Sequence, residues 1–147
     1  MTSNTSVNIS MVSFNKLPHY SEENGEVVVI EGGVNIPFMI ARVFIVRAPV
    51  GATRGQHAHK LCAQLLICSH GTVGVICTDG INSVTHEISS PDQGLYVPPG
   101  IWAEQKYLTA SSALTVLCDR KYEANDYIRN YSEYLEYRGI LNINGNS

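Results

Sequence analysis

Short apolar runs of four to seven residues, each closed by turn formers, recur between residues 26 and 118 and limit the fold more than any other feature. The runs are Glu26–Glu31, Ile40–Val46, Gln64–Ser69, Thr72–Thr78, Val84–Ser89, Gly94–Val97 and Ser112–Cys118. Between them stand Glu31-Gly32-Gly33, Pro49-Val50-Gly51, His70-Gly71, Asp79-Gly80 and Pro98-Pro99-Gly100, all rich in residues that favour turn dihedrals. Such runs are short for helices, and 14 Val and 13 Ile against 10 Leu suit a pleated, half-buried surface. The cadence predicts an all-β fold, a sandwich or small barrel, with a hairpin at Asp79-Gly80. No period is visible before Tyr20. A helical turn is expected only in the tail, from about Asn125 to Leu135, and Gly139 to Ser147 is polar enough to fray.

A chain of 147 residues makes a single ordinary domain, and a hydrophobic content of 44% is enough for a core. Charged residues make up 16%, below the ~25% usual in soluble domains, which argues against disorder and coiled coil. Ten Lys and Arg against thirteen Asp and Glu give a net charge of −3 with no basic block, so nucleic acid is not an expected partner. No apolar run approaches the ~18 residues of a membrane span, and Met1 to Lys16 has neither a basic start nor an apolar stretch. The expected location is the cytoplasm, away from any membrane. Cys62, Cys68, Cys77 and Cys118 lie in strand-like segments without CxxC spacing, as buried free thiols of a reducing compartment would.

One stretch carries chemistry: Arg54-Gly55-Gln56-His57-Ala58-His59-Lys60, followed by Gln64 and Gly71. On an extended strand His57 and His59 project from one face, and two imidazoles are costly to bury without a use. The spacing of Gly51, five residues, His57, one residue, His59, four residues, Gln64, six residues and Gly71 resembles the first motif of the cupin family. That resemblance implies a jelly roll with the site inside it. Metal-binding cupins place a glutamate where this chain has Gln64 and a third histidine where it has Ala103. An amide is a weak ligand and a methyl group is none, so a divalent ion would find two good ligands where zinc takes three or four. Neither a metal nor another cofactor is expected.

A narrower resemblance rests on Arg54 to Lys60, Gln64, Gly94-Leu95-Tyr96-Val97-Pro98-Pro99, Trp102, and Tyr122-Glu123-Ala124-Asn125-Asp126-Tyr127-Ile128-Arg129-Asn130-Tyr131. Together they resemble a metal-independent branch of cupins, the dTDP-4-keto-6-deoxyglucose 3,4-ketoisomerases. The match covers Gly25 to Tyr134, which sets the expected domain core at about 25–134 with a short helical or irregular tail. The resemblance implies a homodimer that moves the carbonyl of a dTDP-linked 4-keto-6-deoxyhexose from C4 to C3 through an enediol. The C4 carbonyl acidifies the C3 hydrogen, and histidine titrates where both proton transfers need it. By resemblance His57 is the carbon base and His59 positions it or polarises the oxygens, although the two roles are exchangeable. Arg54 and Lys60 flank the pair, and the Arg54 guanidinium suits a diphosphate or sugar oxygens. Gln64 is placed to donate to a sugar oxygen, and Tyr96 and Trp102 to stack on the base or line the sugar cavity, unless they serve the core.

Two departures from the family pattern stand out. The family commonly carries a tyrosine after Arg-Val, where a phenol relays a proton between O3 and O4, whereas this chain reads Arg42-Val43-Phe44-Ile45. An arginine of an early Asp-x-Arg-Gly turn is replaced by Glu23-Asn24-Gly25. They leave open an alternative, a nucleotide-sugar-binding cupin with altered or no isomerase activity. A metal-dependent cupin oxygenase is a further alternative, opposed by Gln64 and Ala103. Tyr122, Tyr127, Tyr131, Tyr134 and Tyr137 are expected to pack the tail across the barrel or against a second subunit, and His19, His70 and His86 to lie at the surface or in turns.

Overall fold

A computed structural model describes residues 6–140, so the fraying expected of 141–147 lies outside the described residues. Strands dominate, as the apolar cadence predicts. They are β1 (Ser13–Lys16), β2 (His19–Glu22), β3 (Gly25–Val28), β4 (Arg42–Arg47), β5 (Thr53–His59), β6 (Gln64–His70), β7 (Val73–Thr78), β8 (Ser83–Ile88), β9 (Gln93–Val97), β10 (Trp102–Tyr107), β11 (Ala113–Cys118) and β12 (Tyr127–Ile128). One α-helix, α1 (Tyr131–Tyr137), follows. Two five-stranded sheets form, in the orders β1-β9-β6-β11-β4 and β12-β5-β10-β7-β8, with β2 and β3 as a separate ribbon. Paired strands run antiparallel throughout both sheets.

Alternation along these strands fills the space between the sheets. Leu66 and Cys68, Val73, Val75 and Cys77, Leu95 and Val97, Leu114, Val116 and Cys118 form one buried cluster. Burying an aliphatic side chain of this size contributes about 1.5–3 kcal/mol, so these positions hold the sheets face to face. The architecture is the expected cupin-type jelly roll. All four cysteines are buried and free. The hairpin at Asp79-Gly80 forms between β7 and β8, where Asp79 Oδ1 accepts bonds from the Ile81 and Asn82 amides at 2.8 and 2.7 Å.

The outer faces are covered as well. Leu17, Ile36, Phe38 and Ile40 pack over Leu65, Ile67 and Leu117 of the first sheet. On the second sheet Ala58, Trp102 and Ile128 meet Tyr134 and Tyr137 of α1. The Tyr134 hydroxyl shares its hydrogen between the carbonyls of Thr78 (3.0 Å), at the end of β7, and Gly100 (2.7 Å), in the turn before β10, tying the helix to the second sheet.

Three elements differ from expectation. The packed core reaches back to Val7 and Val12, and β1 pairs with β9 in a region where the sequence shows no period. Strand β10 has Ala103, Gln105 and Tyr107 on its inner face, so no aliphatic run announces it. The expected tail helix starts later: Ala124–Asp126 is a 3-10 turn, Tyr127-Ile128 is drawn into extended pairing with β5, and α1 begins after Asn130, whose side chain accepts from the Glu133 amide.

Candidate active site

Residues 54 and 57 lie three apart, so a regular strand would send them to opposite faces. A bulge in β5 changes that. Pairing with β10 steps from His57–Ala103 to Gly55–Glu104 and skips Gln56. Gly55 and Gln56 both take positive φ, 89° and 53°, as a bulge opened by a left-handed glycine does. Arg54 then pairs with Gln105, and Arg54, His57 and Gln105 all face one cavity. A Cβ on Gly55 would stand 2.5 Å from Gln105 Oε1, a flexible side-chain end that can move aside, so it is the left-handed dihedral that calls for glycine here.

The cavity, of about 230 Å³, opens between the sheets. Its apolar wall comes from Phe44 and Val46 of β4, Leu66 of β6, and Leu114 and Val116 of β11. The polar wall holds Arg42, Arg54, His57, Gln64, Gln105, Tyr127 and Arg129. This volume is below the ~300–1,000 Å³ of sites that enclose a whole drug-sized ligand, so it admits part of a large ligand and leaves the rest at the mouth. Arg54 and Arg129 are exposed there.

His57 Nδ1 lies 2.8 Å from the Gly55 carbonyl, which can only accept, so Nδ1 carries the proton and Nε2 keeps its lone pair. Burial pushes its pKa down to about 4, against the opposing pull of that carbonyl, and His59 adds to the lowering. The imidazole is therefore a neutral base at physiological pH. His59 stands behind it, edge-on, with ring centroids 5.0 Å apart. Its Nδ1 donates to Asp126 Oδ2 at 2.8 Å, and its pKa too is lowered, chiefly by burial against the raising effect of Asp126. His59 Nε2 is buried without a hydrogen-bond partner.

Asp126 reaches this position because β12 adds to the edge of β5, with Tyr127 opposite His59 and Ile128 opposite Ala58. Besides His59, the carboxylate accepts from the backbone amides of Leu61 (2.6 Å) and Cys62 (3.3 Å). His59, Cys62 and Asp126 lie close enough to hold an ion, yet Asp126 is already committed to three donors, and the trio reads as a brace for His59. Tyr127 packs its ring against both histidines, 5.1 Å from His57 and 4.4 Å from His59.

Of the residues singled out from the sequence, His57, Arg54 and Gln64 line the cavity and His59 backs it. Gln64 also donates from Nε2 to Cys118 Sγ at 3.5 Å. Three do not reach it. Tyr96 faces outward, because Leu95 and Val97 beside it take the inner face, and it packs near Phe38 instead. Trp102 is outward for the same reason relative to Ala103, and sits under Tyr131 and Tyr134. Lys60 follows the last residue of β5 and is not in the wall. Sequence reasoning missed Arg42, Gln105, Asp126, Tyr127 and Arg129 as cavity and support residues. The signal was present for three of them, since Asp126, Tyr127 and Arg129 fall within the tail motif that carries the resemblance.

Known proteins give the same picture. The sequence profile of the family described as FdtA, WxcM-like, C-terminal, matches residues 10–139. A TDP-4-oxo-6-deoxy-alpha-D-glucose-3,4-oxoisomerase of Aneurinibacillus thermoaerophilus is 36% identical over 136 residues, 90% of this chain and 94% of that one. The crystal structure of a sugar 3,4-ketoisomerase from Thermoanaerobacterium thermosaccharolyticum in complex with TDP superposes with a TM-score of 0.86, at 33% identity, over 89% of this chain and 96% of that one. A histidine-to-asparagine variant of that enzyme, in complex with TDP-4-keto-6-deoxyglucose, gives a TM-score of 0.83 at 34% identity, covering 85% of this chain and 91% of its own. With its bulged histidine strand, the tail folded against it and these relatives, the chain belongs to the WxcM-like family of sugar-nucleotide 3,4-ketoisomerases.

Proposed function

We propose that this chain converts dTDP-4-keto-6-deoxyglucose to the corresponding 3-keto-6-deoxyhexose, and that His57 is the carbon base. The observation that carries the reading is a neutral imidazole in the cavity wall, its Nδ1 proton committed to Gly55 and its other nitrogen left with a lone pair. The sugar occupies the cavity between the apolar wall and His57. His57 removes the C3 hydrogen, which the neighbouring C4 carbonyl acidifies, and the C3–C4 double bond of an enediol forms. The same imidazolium returns the proton at C4, and the carbonyl appears at C3. His59, fixed by Asp126, holds the ring of His57 from behind. Arg54 and Arg129 at the mouth suit the diphosphate, and Gln64 and Gln105 suit sugar hydroxyls.

No cofactor takes part in this scheme, and the partner is a dTDP-linked sugar rather than nucleic acid, in keeping with a net charge of −3. Four buried free thiols suit a reducing cytoplasm, and no helix among the described residues is long and apolar enough to cross a membrane. A homodimer is part of the proposal through the family alone, and light scattering tests it. Phe44 in the cavity wall is the observation that favours a binder without isomerase activity. Proton NMR of the purified protein with dTDP-4-keto-6-deoxyglucose separates the two: a new 3-keto species is expected, whereas tight binding with no change of the sugar would favour the binder.

A further inference from the structure

The isomerisation needs a second proton carrier. When the C3 hydrogen leaves, the C4 oxygen must gain a proton, and when C4 is protonated, the C3 hydroxyl must lose one. In this chain the β4 position expected to supply a phenol is Phe44, and it lines the cavity without a hydroxyl. Among the described residues of the wall, His57 and Tyr127 are the two that can both give and take a proton. Arginine stays protonated, amides do not titrate, and the rest are apolar.

We infer that Tyr127 carries the oxygen proton in place of the missing phenol. Four contacts support the assignment. Its ring lies 5.1 Å from that of His57, on the same wall. Arg42 Nη1 donates to the Tyr127 oxygen at 3.3 Å, which leaves the hydroxyl hydrogen free to point at a ligand. The Arg42 guanidinium also stands 4.6 Å from the Phe44 ring, so positions 44 and 127 are neighbours across one side chain. Arg129 lies 4.3 Å from the Tyr127 ring on its face, and with Arg42 it supplies the positive charge that a transient phenolate needs.

The steps balance. His57 takes the C3 hydrogen, the C–H electron pair becomes the C3–C4 double bond, and the C4 carbonyl oxygen takes the Tyr127 proton. The phenolate then takes the proton of the C3 hydroxyl, a C3 carbonyl forms, and the double-bond pair takes the proton of His57 at C4. Both side chains end as they began.

This inference rests on the ketoisomerase reading, so wild-type turnover is measured first, beside Tyr127→Phe and a protein with 3-fluorotyrosine at position 127. Tyr127→Phe keeps the ring against the histidines and is expected to lower kcat by about 10²- to 10³-fold, with TDP affinity unchanged within about twofold. The fluorinated phenol is more acidic, and the alkaline limb of kcat is expected to move to lower pH, a change that a structural role would not produce. An active wild type with an unimpaired Tyr127→Phe, or an unmoved alkaline limb, overturns the assignment alone. An inactive wild type overturns the ketoisomerase reading and the assignment with it. Should Tyr127→Phe fail to fold, the fluorotyrosine profile decides.

Discussion

His57 works as a base because burial holds it neutral and one neighbour orients it. Burial keeps a proton off the ring, and the Gly55 carbonyl fixes which nitrogen is bare. His57→Asn is therefore expected to lower kcat by about 10²- to 10⁴-fold while TDP still binds, which calorimetry and a product assay check together. A pKa of about 4 also places the acid limb of kcat/KM far below the ordinary histidine range, so activity should hold from pH 7 down to about 5. Stability follows the same linkage. The unfolded chain protonates His57 as pH falls below the ordinary 6.5, while the folded chain resists until about 4, so stability declines with falling pH across that window. Thermal melts of wild type and His57→Asn should differ most in slope there. The pair of histidines was legible in the sequence because alternation and motif spacing both bear on it, and Arg54 through the motif alone, since alternation would turn it to the other face. Tyr96 and Trp102 were misplaced because an aromatic in a motif does not reveal which face of its strand it takes, and the neighbours Leu95, Val97 and Ala103 decide that only once the sheets pack.

At the scale of elements, the site depends on one irregularity and one added strand. The Gly55-Gln56 bulge turns Arg54 toward His57. Gly55→Ala meets a φ that L side chains rarely adopt and displaces the Gln105 side chain, and is expected to cost about 1–3 kcal/mol in denaturant unfolding, with KM for the nucleotide sugar raised as Arg54 loses its register. Strand β12 brings Asp126 behind His59. Asp126→Ala leaves the buried His59 Nδ1 and the Leu61 and Cys62 amides without their acceptor, at about 1–3 kcal/mol for each donor left unsatisfied, so a lowered Tm should accompany the loss of activity. The runs that became β6, β7, β9 and β11 were readable because their inner faces are largely apolar. Strand β10 and the tail were not, since Ala103 brings only a methyl group to the core and Gln105 and Tyr127 face a cavity. The order in which local pattern fails is the order in which function takes over.

Across the whole molecule, a chain with a net charge of −3 gathers Arg42, Arg54 and Arg129 at one opening between its sheets. A net charge of −3 without a basic block offers no evident footprint for a polyanion such as nucleic acid, while the local arginines suit a diphosphate. TDP affinity should accordingly weaken as salt rises, and Arg129→Gln should flatten that dependence, as titrations between low and high ionic strength would show. The rest of the fold serves to hold that opening, with one outer face closed by the segment from Leu17 to Ile40 and the other by α1. The central claim is that His57 moves a hydrogen between C3 and C4 of a dTDP-linked keto sugar. Proton NMR of dTDP-4-keto-6-deoxyglucose in deuterium oxide, with wild type and His57→Asn side by side, tests it most directly. Wild type should yield the 3-keto sugar, with the substrate's own hydrogen at C4 where His57 returns what it took and deuterium only where its imidazolium exchanges with solvent first, and the variant should bind the substrate and leave it unchanged. A product that forms as fast with His57→Asn, or a wild type that binds but neither exchanges nor isomerises, would contradict the account.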